Sequence, residues 1–288
     1  DDKGLATQIQ RVPADKASRK SSSVESLITV ECDRIVSDAD RNALALELKR
    51  VLGDVRGAVQ DWPAMLGRLN EVCEEGAQSP LSQPNKEEGV AFLRWLEDRH
   101  FTFLGARDYT LKRSGDKASL IARPDTGLGI LRGPVHTTET HLPPEAVALI
   151  DNDELVLVIK AMTRSTVHRP AWLDYIAVKR FDAQGTVVGE TRFLGLYTST
   201  AYAASIDEIP QVRLRAVQVV ARAGVVPESH AAKSLQSILE VYPRDELFQI
   251  DADTLADHAI GILRLQERQR TRVFLRRDPF GRFTSAQV

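Results

Sequence analysis

The order of apolar and polar positions divides the chain into a short opening, a run of helices, a strand-rich middle and a second helical run. Leu5–Val12 and Ser26–Asp33 have the spacing of short strands, separated by a polar, Ser- and Lys-rich segment (residues 13–25) that reads as a hairpin loop. From Asp38 onward, Leu44, Leu48, Val51, Leu52, Val55 and Val59 recur at helical spacing, which predicts a long amphipathic helix. Asp61-Trp62-Pro63 predicts the start of a second helix, because proline is tolerated in a first turn where its missing N–H has no partner to lose. Gly76–Pro84 has the glycine, serine and proline content of a linker. Asn85 with Glu88 three residues on resembles a capping arrangement for a third helix, whose buried face is Phe92, Leu93, Trp95 and Leu96.

Strands follow: Phe101–Leu111 and Ala118–Ala122 around Ser114-Gly115-Asp116, then Leu155–Lys160, then Tyr175–Phe181 and Val187–Tyr197 around the turn Asp182–Gly185. A short helix opens at Pro143-Pro144-Glu145, and another runs from about Glu208 to Ala223, before Gly224. Residues 229–268 read as two helices joined at Tyr242–Asp245, with Ser229 capping one and Asp251 or Asp253 the other. A last strand, Arg270–Leu275, enters the turn Asp278–Gly281. This order is mixed α+β rather than regular βαβ, and it predicts antiparallel sheets covered by helices, a class that includes the ACT-like and ferredoxin-like folds. Three segments are expected: a partial first domain with the long helix (1–78), a second α+β domain (79–225), and a helical connector that starts a third (226–288).

Composition narrows the class without naming a reaction. The apolar share of 43% and charged share of 27% are those of a globular chain, and 288 residues suffice for about two cores. A net charge of −2 excludes a general polyanion binder, so no nucleic-acid partner is expected. Arg192–Tyr197 matches too little of the aromatic pattern of single-strand RNA readers to change that. Cys32 and Cys73 lie far apart and outside any metal or disulfide pattern, which fits a cytoplasmic location. No apolar run is long enough to span a bilayer, so no membrane partner is expected.

The search for catalytic motifs returns little. Gly127–Gly133 is the nearest approach to a dinucleotide loop, but its third glycine falls one residue late and Pro134 prevents a helix from starting there. His136, Glu139 and His141 share a Thr- and Pro-rich loop whose spacing fixes no metal geometry, so no metal is expected. His168 and Arg169 form a turn before Pro170 that would project them at the mouth of a sheet, with Asp174, Lys179 and Arg192 expected nearby. An arginine fork there suits the carboxylate of an amino acid or 2-oxo acid, and a structural ion pair holding the loop to the sheet is the other reading.

Six segments carry a resemblance: 165–182 (STVHRPAWLDYIAVKRFD), Phe92–Tyr109, Gly127–Arg132, Arg192–Tyr202, Tyr242–Ile250 and Arg276–Phe283. In this order they resemble the large bacterial NAD-specific glutamate dehydrogenases, whose chains are several times longer. The matched segments resemble the non-catalytic N-terminal region of that family, which carries ACT-like domains. The resemblance implies a regulatory and oligomerisation region whose whole enzyme uses NAD, with no cofactor and no catalytic residue in this chain. It implies self-association and the catalytic domain of the same polypeptide as partners, and a small amino acid as effector. The effector site would be His168, Arg169, Asp174, Lys179 and Arg192. The alternative is a free-standing small-molecule enzyme or amino-acid-binding module built on His168, Arg169 and Asp174.

Overall fold

The computed structural model describes residues 28–115, 117–134, 139–265 and 271–287, and its contacts divide the chain between Leu46 and Glu47. The segment 5–12 and the loop 13–25 lie outside the described residues, and residues 28–33 form no strand. The first helix, α1 (Asp38–Gln60), begins where the periodicity places it, with Ser37 accepting from Asp40 N. Most of its apolar row is exposed, Leu48, Leu52 and Val59 by 52%, 58% and 70%, and its buried residues are Gly57 and Ala58.

Helix α2 (Trp62–Ala77) has Pro63 in its first turn, but Asp61 does not cap it. The Asp61 carboxylate is buried instead against the glycine loop, accepting from Gly129 N (2.8 Å) and Arg132 Nε (2.9 Å). Helix α3 (Gln83–Trp95) starts two residues before Asn85. Glu88 is drawn to Arg213 and Gln211 N across the core rather than to its own helix start, and Asn85 donates to Asp153. The linker-like Gly76–Pro84 is the turn between α2 and α3, whose Met65, Leu69, Phe92 and Leu93 belong to one hydrophobic core.

The strands are β1 (Phe101–Ser114), β2 (Lys117–Ala122), β3 (Leu128–Gly129), β4 (Glu139–His141), β5 (Val156–Arg164), β6 (Trp172–Phe181) and β7 (Val187–Tyr197), with helix α4 (Pro144–Asp151) between β4 and β5. They form one antiparallel sheet in the order β4-β2-β1-β7-β6-β5, with β3 added on β1. Two meanders therefore meet where β1 pairs β7, and the turn at Asp182–Gly185 is closed by Gly185 at φ 81°. A ferredoxin-like sheet interleaves its helices between strands; here the class shared with it is an antiparallel sheet carrying helices on a face.

Helices α5 (Ser199–Ala203), α6 (Val212–Ala223), α7 (His230–Val241), α8 (Arg244–Leu247) and α9 (Ala252–Leu263) follow, and β8 (Phe274–Arg277) pairs β9 (Thr284–Gln287) in a separate hairpin. Gly224 ends α6 in the left-handed conformation that lacks a Cβ penalty. Ser229 and Asp251 cap α7 and α9, accepting from Ala232 N and Thr254 N. Residues of α2, α3, α6, α7 and α9 pack with Phe101, Phe103, Ile176, Val178, Phe193 and Tyr197 on one face of the sheet. Tyr197 stacks on Phe248 with ring centroids 4.1 Å apart, which fastens the second helical run to the strands. The protein is α+β, as the sequence order predicts.

Candidate functional site

Alternation along β6 decides where its charged residues point. Asp174 shares a face with Ile176 and Val178, the face covered by helices, whereas Lys179 lies with Tyr175 and Ala177 on the other. Asp174 is 1% exposed, and its register partner on β5, Lys160, donates to Oδ1 at 2.5 Å. The same ammonium lies 3.0 Å from Asp245 of α8, which also accepts from Tyr202 Oη at 2.9 Å. Lys160 thus joins the sheet edge to the second helical run through two carboxylates.

Burial pushes the Asp174 carboxyl up to about 6, and the Lys160 ammonium opposes that shift. For Lys160 burial works the other way, but the two carboxylates outweigh it and hold the pKa above its ordinary value. Tyr197 Oη is buried nearby without a hydrogen-bond partner among the described residues, and burial raises its phenol well above the usual range. Beside this network a cavity of about 240 Å³ is lined by Lys160, Trp172, Asp245, Gln249, Arg276 and Phe283 among others.

The turn Ser165–Ala171 is held by Ser165 N donating to Ala171 O and by Val167, which is buried under the opposite face. His168 sits in it at φ 71°, exposed. Arg169 reaches back to donate to Tyr197 O at 2.7 Å, which brings it and Asp174 to the same tyrosine.

Lys179 and Arg192 do not join them, contrary to the sequence expectation. The five-residue interval from Asp174 turns Lys179 to the other face, where its Nζ donates to Asn152 O and Oδ1, both at 2.7 Å. Burial pushes its pKa down to about 8, against the pull of Glu154, Asp151 and Asp153. Arg192 is the register partner of Ala177, so it too faces away from Asp174. Its guanidinium lies between the rings of Tyr109 and Tyr175 (3.8 and 4.2 Å) and bonds Glu190, which also accepts from Tyr175 Oη.

Lys160, Asp245 and Tyr202 escape a sequence reading because only the β5–β6 register and the docking of α8 bring them to Asp174. A second network is equally invisible in sequence: Arg68 of α2 bonds both oxygens of buried Asp108, which also accepts from Thr191.

The glycine loop holds no nucleotide-binding turn. Gly129, at φ 59°, lies so close to β1 that a Cβ would fall 2.1 Å from Leu104 O, and no long helix begins there. His136 lies outside the described residues; Glu139 accepts from Ser119 Oγ at 2.6 Å. Among the described residues no group of His, Cys, Asp and Glu could hold a metal ion.

Residues 209–268, from the approach to α6 through α9, match the family model described as glutamate dehydrogenase, helical motif 1. The NAD-specific glutamate dehydrogenase of Pseudomonas aeruginosa is 38% identical over 269 residues, covering 92% of this chain and 17% of the relative. That of Halomonas elongata is 36% identical over 288 residues, covering 98% and 18%. The chain belongs to the family of the large NAD-specific glutamate dehydrogenases. A third member, from Mycobacterium tuberculosis, is 32% identical over 244 residues, 84% of this chain and 14% of its own length. The chain therefore spans under a fifth of the length of the curated relatives it matches. Among the described residues no helix is long and apolar enough to cross a membrane.

Proposed function

We propose that this chain is a non-catalytic, ACT-like regulatory and assembly region of an NAD-dependent glutamate dehydrogenase. The whole enzyme oxidises L-glutamate with NAD and water to 2-oxoglutarate, ammonia and NADH, and its NAD is held outside this chain. The observation that carries the reading is the similarity itself, which runs along nearly the whole of this chain while covering a small part of each relative. The architecture agrees with a structural and responsive role, since the buried charges of the sheet are matched, Arg68 with Asp108 and Lys160 with Asp174 across elements and Arg192 with Glu190 within β7.

The effector is a small amino acid, and its site is the cavity lined by Lys160 and Asp245, with Asp174 paired to that lysine and Arg169 bound to the Tyr197 carbonyl. An amino acid carries both charges that this site already pairs. Its carboxylate takes the Lys160 ammonium and its ammonium takes Asp245, whose side chain is 46% exposed. Leu48, Leu52 and Val59 of α1 supply apolar surface for self-association with a second copy.

Thermal unfolding with NAD, L-glutamate, 2-oxoglutarate and a panel of amino acids tests the effector reading. A ligand selective for the native chain stabilises it by mass action, by about 2.7 kcal/mol at a hundredfold excess over Kd, and so raises its melting temperature. One amino acid is expected to do so, with the effect lost in Asp245→Asn. An unchanged melting temperature across the panel would leave an architectural role in its place.

A further inference from the structure

Arg215 of α6 is a buried cation of the second helical run. It is 6% exposed, and its Nη1 donates to the carbonyls of Leu247 and Phe248 at 3.1 and 3.4 Å. Among the described residues the one carboxylate that reaches it, Glu154, stands at 3.5 Å and is itself one-third exposed, and Arg215 Nε has no partner there. A buried charge without a close counter-ion is costly, so the arrangement favours a further anion.

Space for one exists. The Arg215–Glu154 pair is the partition between two cavities, of about 70 and 270 Å³, and both residues line each of them. The larger lies between the β5 edge, the α8–α9 turn and β8. Leu149, Leu157, Ile250 and Leu275 give it an apolar wall. Its charges favour an anion. Asp251 is engaged with Thr254 N and Oγ1 (2.8 and 2.7 Å), and Arg276 with Glu246, while among the described residues Arg277 has only the Gly281 carbonyl at 3.5 Å.

We propose that this cavity binds a small carboxylate with a short aliphatic body, held by Arg215 with Arg277 and packed against the leucines. The carboxylate takes the Arg215 face that Glu154 holds weakly, and the body fills the apolar wall. The site shares no residue with the effector cavity beside Lys160 apart from Gln249 and Arg276 at their common border, and it does not depend on that reading. The segment that matches the helical motif supplies Arg215, Phe248, Ile250 and Thr254 to its lining.

Titration calorimetry on the full chain tests it, with 3-methylbutanoate and succinate as probes and 3-methylbutanamide as the uncharged control. A carboxylate is expected to bind and the amide not to. Arg215→Gln weakens the carboxylate by on the order of tenfold or more, since a charge-assisted hydrogen bond is lost. Glu154→Gln removes the competing carboxylate and tightens binding, whereas Asp245→Asn, which damages the effector cavity, leaves it unchanged. Equal binding of amide and carboxylate, no binding of either carboxylate at millimolar concentration, or a Glu154→Gln variant no tighter than the parent would overturn the proposal. The amide control and Glu154→Gln decide the matter even if Arg215→Gln fails to fold.

Discussion

His168 holds a backbone conformation, φ 71°, that a β-carbon disfavours. His168→Gly is therefore expected to raise stability by about 0.5 kcal/mol, the relief of strain exceeding the extra chain entropy of glycine. A calorimetric scan would register a rise of roughly 1–2 °C; a clear fall would mean that the imidazole makes a contact worth more than the strain. Asp174 governs a second residue-scale expectation. Its carboxyl is ordinarily near 3.8 and stands at about 6 in the fold, so the native state binds that proton more tightly than the unfolded chain does. The sign follows: its contribution to stability is full below the unfolded pKa and is lost as pH rises through about 6, a swing of about 3 kcal/mol. Chemical denaturation between pH 4 and 7 should show this slope, and Asp174→Asn should flatten it. The sequence segment around Asp174 was legible as a concentration of charge. Its actual partners were not, because Lys160 depends on strand register and Asp245 on how α8 docks 71 residues further along.

At the scale of elements, the second helical run is fastened to the sheet by the stack of Phe248 on Tyr197. Phe248→Ala should cost about 3–5 kcal/mol as a large buried ring is removed, with loss of amide-exchange protection concentrated in α8 and α9. Tyr197→Phe should change stability by less than about 1 kcal/mol, because the hydroxyl it removes has no partner to lose. Asp61→Ala releases Gly129 N and Arg132 together and should cost about 2 kcal/mol in urea denaturation. Hairpins were the most legible elements: alternation and turn residues placed β6 and β7 to within a few residues. Helix starts were less so. Asp61 and Glu88 have the residue types of local caps, but each is taken by a partner distant in sequence, Gly129 in one case and Arg213 in the other. Local spacing carries no sign of that competition. The apolar row of α1 likewise gave the helix, and that most of the row is exposed could not be read from it, since periodicity fixes a face and not what covers it.

For the whole molecule, pattern and composition reach an α+β chain with no catalytic motif, and the similarity to NAD-specific glutamate dehydrogenases supplies the family. The central claim is that this region responds to small molecules and assembles without performing the redox step. Incubating the purified chain with L-glutamate and NAD, and following NADH by its absorbance, tests that claim most directly. The account predicts no glutamate-dependent NADH at any chain concentration. NADH formation that scales with both chain and glutamate would contradict it and place a catalytic site within these residues.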